Sequence, residues 1–314
     1  MKRIPRRILA KPIQQELGFG KQLTTSERMM NPDGSFNVER QTLGRWDNAY
    51  YHLVTMRWDR FALLVFLSFV LLNLFFSALY LSLGIHQLQG IRAGDFWQNL
   101  SSVFFFSTQT LTTVGYGHVS PAGWGANVVA SLESFTGLLV FALISGLLYG
   151  RFSRPAAKIA FSHSLLVAPY REGTGLMLRM ANARKSELIE TDVQVFLAIN
   201  QADETGNVTR RFFGIPLEIS KISFFSLSWT VVHPIDENSP LWGVSQQDLQ
   251  DARAEFMVLV KGVDEATQQL VHARRSYTGE EMIFNARFKP VIGRNASGLP
   301  KVLIHHIGAY ETMA

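Results

Sequence analysis

The sequence contains no cysteine, so no disulfide can staple the fold and no thiolate can ligate a metal. Charged side chains are sparse, 18% of 314 residues, where soluble domains carry about 25%. No glycine-rich phosphate loop, no HExxH pair and no nucleophile elbow occurs. An enzyme reading therefore has little to stand on, and no cofactor is expected. The net charge of +5 could suit nucleic acid, but the basic residues are not interleaved with aromatics on one evident face, so no nucleic-acid partner is expected. They crowd around two apolar segments instead, which points to a membrane surface. What the chain has in plenty is hydrophobic residues, 47% of the total, and a length with room for two domains.

Lys2, Arg3, Arg6, Arg7 and Lys11 open the chain with no apolar core behind them at signal-peptide distance. Residues 1–44 are expected to form a mobile basic cytoplasmic arm, not a cleaved leader. Residues 61–83 are an almost unbroken apolar run, interrupted by Ser68, Asn73, Ser77 and Ser82. As a helix the run reaches about 34 Å, enough to cross a hydrocarbon core of about 30 Å. A second run covers 126–152, with Glu133 as its only formal charge before the basic end, and with Gly137 and Gly146 at spacings suited to close packing or bending. Arg45, Arg57 and Arg60 precede the first run, Arg151, Arg154 and Lys158 flank the end of the second, and Arg92 stands alone between them. The positive-inside rule then puts both termini in the cytoplasm and 84–125 outside.

Within that outer segment, residues 96–111 (FWQNLSSVFFFSTQTL) are apolar and aromatic, with Asp95 available as N-cap, yet too short to span. The pattern predicts a re-entrant helix, since irregular backbone at membrane depth survives only against protein or a water-filled cavity. Thr113, Val114, Gly115, Tyr116 and Gly117 follow directly. TVGYG is the sequence whose backbone carbonyls, ringed from four loops, replace the hydration shell of a potassium ion. Gly115 and Gly117 permit backbone conformations that a Cβ would obstruct. The Thr113 hydroxyl can add an innermost oxygen ring, with Val114 and Tyr116 packing behind. Potassium, bound at Thr113, Val114, Gly115 and Tyr116, is then the permeant ion, and four copies of the chain are needed. Glu133 is expected to face protein behind this loop instead of lipid.

Four stretches carry a family resemblance: TQTLTTVGYG (108–117), LLYGRFSRPAAK (147–158), LSWTVVHPIDENSPLWG (227–243) and GVDEATQQLVHARRSYTGEEMIF (262–284). On these the chain resembles the inward-rectifier (Kir-type) potassium channels, most closely their prokaryotic members, over residues 46–288. The last two stretches lie outside the spans and are not shared with potassium channels in general. The resemblance implies a homotetramer in a bacterial inner membrane and an interfacial slide helix over 45–58. The sequence supports that helix independently, because Trp46, Tyr50, Leu53 and Val54 fall on one helical face. It also implies a bending point at Gly146, a gate at Tyr149 where the helices cross, and pore-lining positions at Phe141 and Lys261. Read without the resemblance, Tyr149 also has a lesser alternative, an interfacial aromatic facing lipid. Anionic lipid, such as phosphoinositide, is expected at Arg151, Arg154, Lys158, Arg184 and Lys185. For Arg151 alone, an ordinary positive-inside role has comparable weight.

Departures from the family pattern bear on mechanism. The Glu and Arg that bracket the filter of eukaryotic relatives are matched here by Gln109 and Val119, so both charges are absent together. Phe141 stands where strong rectifiers are acidic, Lys261 at a cytoplasmic pore position that is acidic in many relatives, and Ala156 and Ala157 where many eukaryotic relatives are basic. Strong rectification and tight phosphoinositide binding are both put in doubt.

The resulting organisation is an arm over 1–44, the slide helix, a two-span pore domain over 59–155 and a cytoplasmic domain over 156–314. In the last, Val193, Val195, Leu197 and Ile199 alternate with Gln194, Phe196 and Ala198, a strand period. Similar runs at 176–180, 224–232 and 256–260 predict an all-β sandwich, which the resemblance makes immunoglobulin-like. His305 and His306 have no further candidate ligands near them and are expected on a surface strand. Two rival readings remain: a non-selective cation channel, which the intact Tyr116 disfavours, and a sandwich adaptor that its spans merely tether.

Overall fold

The computed structural model describes residues 28–39, 49–92, 94–153, 157–184, 186–202 and 208–313. The chain divides into two compact units, Gln41–Arg154 and a second formed by Met1–Arg40 with Pro155–Ala314. The fold class read from the sequence holds: a two-span helical domain with a re-entrant helix, and a β-sandwich.

The helical unit begins with α1 (Ala49–Thr55) and α2 (Trp58–Leu83). They are separate helices because Arg57 is extended (φ −59°, ψ 149°), so the slide helix ends short of residue 58. Trp46 lies outside the described residues. At α2, Asn73, Phe76, Ser77 and Tyr80 are buried. This i, i+3, i+4, i+7 spacing turns one stripe inward, while Leu63, Phe66, Leu67, Leu71 and Phe75 are exposed, as lipid-facing positions of a span should be. After α2 come β1 (Leu88–Gln89) and α3 (Phe96–Leu111), which starts where Asp95 accepts a hydrogen bond from the Gln98 amide at 2.8 Å. The α3 face that packs inward carries Val103, Phe106, Ser107 and Leu111. A two-residue strand, β2 (Ser120–Pro121), pairs antiparallel with β1 and ties the stretch after 113–117 back to the end of α2. The unit closes with α4 (Trp124–Phe152).

The second unit is built from two five-stranded sheets. One joins β6 (Leu188–Ala202), β7 (Val208–Ile215), β8 (Lys221–Phe225), β10 (Glu255–Asp264) and β11 (Gln269–Thr278). The other joins β3 (Ile159–Phe161), β4 (Leu165–Tyr170), β5 (Gly173–Asn182), β9 (Ser228–Ile235) and β12 (Met282–Phe284). A short α5 (Gln246–Asp251) precedes β10, and two small ladders, β13 (Ala286–Phe288) with β16 (Tyr310–Thr312) and β14 (Ile292–Arg294) with β15 (Pro300–Val302), follow β12.

The alternation in β6 places Val193, Val195, Leu197 and Ile199 in the core, against Leu176, Leu178 and Met180 of one sheet and Phe256, Val258 and Val260 of its own. The apolar run 224–232 is not one strand. β8 pairs with β6 and β9 with β5, so the chain changes sheets at 226–227. His305 and His306 are exposed, but on a single 3-10 turn, not a strand.

Part of the expected mobile arm is docked. Met30 and Phe36 bridge to each other and cover Phe196, Ala198, Phe212 and Met257 on the outer face of the β6 sheet. The Met29 and Met30 amides both donate to the Glu255 carboxylate at 2.9 Å, and Arg210 pairs with the same carboxylate at 2.8 Å. Burial lowers the Arg210 pKa, and the neighbouring Glu255 acts against that shift. The basic residues at 2–11 lie outside the described residues.

Removing one partner of such a buried pair leaves the other charge uncompensated, at about 3–5 kcal/mol. Glu255→Ala should therefore lower the denaturant midpoint of the second unit and speed amide exchange at Met29 and Met30. Exchange unchanged at those two amides would show that the carboxylate does not hold the segment.

Candidate functional site

The 113–117 loop leaves directly from the end of α3. The Thr113 amide donates to the Thr110 carbonyl at 3.1 Å, and the Val114 and Gly115 amides both donate to the Gln109 carbonyl at 2.9 and 3.3 Å. Thr113, Gly115 and Gly117 have φ of 59°, 53° and 81°, while Val114 and Tyr116 are not left-handed. In an extended strand successive carbonyls alternate sides. Alternating handedness instead turns them toward one side, which a row of cation-binding oxygens requires. A Cβ on Gly115 or Gly117 would meet nothing within 4 Å, so the backbone angle, and not space, calls for glycine there. The C-terminal end of α3 adds partial negative charge beside this row.

Within one chain Val114 is 53% and Tyr116 75% exposed. The packing expected behind the loop is therefore not supplied by the same subunit. Tyr116 stacks on His118 at 6.3 Å between ring centroids, a contact not read from the sequence. The exit of the loop is held by Gly90: its φ of 93° and a Cβ position 1.9 Å from the His118 carbonyl leave no room for another residue.

Behind α3 lies a polar cluster sealed from solvent. Glu133, Ser107, Asn73 and Ser77 are completely buried, and Tyr80 is nearly so. Tyr80 donates to Glu133 Oε2 at 2.7 Å and the Ser107 hydroxyl donates to Oε1. Ser107 Oγ also lies 3.1 Å from Asn73 Oδ1, and Ser77 donates to the Asn73 carbonyl at 2.6 Å. Tyr80 and Ser107 are thus the partners of Glu133. One helical turn further along α4, a Cβ on Gly137 would stand 2.0 Å from the Leu111 carbonyl, so this glycine exists for close approach to the end of α3. Gly146 has open space around it, and Phe141 and Tyr149 are 73% and 76% exposed in the single chain.

The basic residues divide. Arg151 is buried, donating to the Leu53 carbonyl at 2.6 Å and the Met56 carbonyl at 2.7 Å, with its guanidinium 4.5 Å from the Trp58 ring centre and 4.4 Å from that of Phe61. It caps α1, so its charge is directed at carbonyls and rings instead of lipid. Arg184 pairs with Asp264 at 3.3 Å. Burial raises the Asp264 pKa, but hydrogen bonds from Ser186 and Thr267 and the Arg184 charge together hold it below the usual carboxylate range. Lys158 is exposed; Arg154 and Lys185 lie outside the described residues. Lys261, on β10, has Asp192 and His272 as cross-strand neighbours, and Asp264 is already taken.

A two-span domain with a re-entrant helix and a loop of aligned carbonyls, joined to a β-sandwich, defines a two-span ion channel. A family model described as "Ion channel" matches residues 61–153, and one described as "Inward rectifier potassium channel C-terminal domain" matches 159–312. The chain is 38% identical over 282 residues to the inward rectifier potassium channel Kirbac3.1 of Paramagnetospirillum magnetotacticum, covering 87% of this chain and 94% of that one. It is 29% identical to the ATP-sensitive inward rectifier potassium channel 12 of Gallus gallus, covering 84% and 67%. To the inward rectifier potassium channel 18 of Homo sapiens it is 32% identical, covering 61% and 46%. The chain belongs to the inward-rectifier potassium channel family, among its prokaryotic members. It is an integral membrane protein whose family role is ion transport, with potassium as the permeant ion.

Proposed function

We propose that the chain is one subunit of a homotetrameric, potassium-selective channel whose conduction axis is ringed by four copies of Thr113, Val114, Gly115, Tyr116 and Gly117. The left-handed backbone at alternate positions of this loop carries the reading. The exposure of Val114 and Tyr116 in one chain supports it, since a tetramer supplies neighbours to pack them. Tyr149 serves as the gate and Gly146 as the bending point, with Phe141 lining the cavity and Lys261 the cytoplasmic vestibule. The channel sits in a bacterial inner membrane with both termini in the cytoplasm. Gly115→Ala should abolish potassium-driven flux into liposomes while the protein still migrates as a tetramer. Unchanged flux would remove the filter assignment.

Anionic lipid is proposed to regulate opening through Arg154 and Lys158, helped by Lys185; each cation near an anionic surface is worth about 1 kcal/mol. Because Arg151 donates to the Leu53 and Met56 carbonyls, its contribution is to hold the end of α1 and not to bind headgroups directly, while Arg184, paired with Asp264 yet one-third exposed, helps alongside Lys185. Neutralising Arg154 and Lys158 together should flatten the response of flux to added phosphoinositide. A response identical to that of the unmodified channel would refute the site.

Rectification is proposed to be weak. A polyvalent cation is held in a pore by negative charge along water-lined walls. Phe141 offers none, and four copies of Lys261 bring the opposite sign to the vestibule. Internal spermine should therefore block the unmodified channel with shallow voltage dependence, and block a Phe141→Asp, Lys261→Glu double variant more strongly in bilayer recordings. Steep block of the unmodified channel would show that other acidic groups line the pore.

A further inference from the structure

Glu133 is hard to account for as a stabilising residue. It is completely buried, and its described partners are two neutral hydroxyls, those of Tyr80 and Ser107, with no cation among them. A hydrophobic side chain of similar size would avoid the several kcal/mol needed to strip water from a carboxylate. What a carboxyl does here that leucine cannot is fix a direction. Its two oxygens are divided between two helices, Oε2 taking the Tyr80 hydroxyl of α2 and Oε1 the Ser107 hydroxyl of α3. The same Ser107 oxygen lies 3.1 Å from Asn73 Oδ1 of α2, close packing within the cluster, while its one proton goes to Glu133, so the carboxyl of α4 is the group bonded to both other helices.

The cluster sits where this matters. Ser107 is in the last turns of α3, two residues before Gln109, whose carbonyl accepts from the Val114 and Gly115 amides. Gly137, four residues after Glu133 on α4, rests against the Leu111 carbonyl. The last turn of α3 is therefore held at two points by α4, one a polar bond and the other backbone contact without a side chain between. Both lie within a few residues of the loop. The loop itself has little else behind it in the chain. Gln109 and Val119, at its two ends, form no ion pair, and Val114 and Tyr116 are exposed.

We propose that Glu133 is a positioning residue for ion selection: it fixes the axial position and rotation of α3, and through the Gln109 carbonyl the spacing of the carbonyl rows at 113–117. The inference rests on the reading of that loop as the potassium filter. Functional constellations lose performance when displaced by about 0.5 Å, so loosening α3 degrades discrimination between ions before it prevents assembly.

The test measures the potassium-to-sodium permeability ratio from reversal potentials of the full-length channel in bilayers, with tetramer content checked for each variant. Glu133→Leu should assemble but lose potassium preference on the order of tenfold, as expected for loss of buried hydrogen bonds. Glu133→Gln, which keeps an acceptor and the side-chain length, should restore most of it. Should Glu133→Leu not fold, Tyr80→Phe and Ser107→Ala each delete a single oxygen, and combining them should lower the ratio by more than either alone. A ratio unchanged in the Tyr80→Phe, Ser107→Ala double variant would overturn the proposal while leaving the filter assignment standing. An unmodified channel without potassium preference would instead overturn the filter reading, and this inference with it.

Discussion

A carboxyl group sealed among three helices is the constraint around which the membrane unit is arranged. Glu133 has hydrogen-bond donors from α2 and α3 and none from solvent, and that requirement dictates what surrounds it. Tyr80 must be buried at full length, which brings its ring onto Phe106 at 5.1 Å between centroids. Ser107 must face the spans, which sets the rotation of α3, and with that rotation fixed Val103 and Leu111 fall into the same interface. Close approach of α4 at Gly137 then follows from the same geometry. Apolar packing alone would tolerate sliding of one smooth helix over another; a bond with a direction does not.

A comparable device organises the sandwich, with the opposite electrostatics. Glu255 is buried against Arg210, and its remaining acceptor capacity is used by the backbone amides of Met29 and Met30. The N-terminal segment is thereby bound to the sheet through its main chain, through Met30 and Phe36, and through Arg28, which donates to the Ser276 hydroxyl at 2.8 Å and pairs with Glu281 at 3.0 Å. A segment that reads as charged and solvated is held by main-chain, apolar and charged contacts together. Arg179 does similar work elsewhere in the sandwich. It donates to the carbonyls of Lys289 and Ile307 at 2.6 and 2.9 Å, and burial brings its pKa down to about 10.

What could be read from the sequence was what is local. The apolar length of the spans, the N-cap of the short helix and the alternation in β6 each reside in consecutive residues. The TVGYG loop is five residues long and its glycines mark their own backbone angles. Contacts between distant positions were not legible. The partners of Glu133 lie 53 and 26 residues away, and the carbonyls that occupy Arg151 lie 98 and 95 residues away. The positive-inside rule located Arg151 at the membrane interface but could not say that its charge was already engaged. A signal for the polar cluster did exist. Asn73, Ser77 and Tyr80 recur at helical spacing within an apolar run, and a polar stripe on a span implies a buried partner. The change of sheet at 226–227 left only a weak trace, Ser226 and Ser228 in a run with neither glycine nor proline, which is not enough to mark a turn between two apolar halves.

Thr113 brings these elements together. Its φ of 59° is unfavourable for a β-branched residue, by about 1–3 kcal/mol, and glycine would relieve it. Glycine is what the loop uses at 115 and 117, where the same handedness is needed, so the exception at 113 calls for a reason in the side chain. A hydroxyl at the innermost position is that reason under the proposed function: it continues the column of oxygens one step past the last carbonyl. The strain persists because α3 holds the residue from behind, through the bond from its amide to Thr110 and those of the next two amides to Gln109. α3 can resist only if it is itself immobile, and its immobility comes from the buried carboxylate on α4. The chain of dependence therefore runs from a carboxyl group with no exposure, through two hydroxyls and one helix, to a backbone angle that the sequence could flag only as five letters.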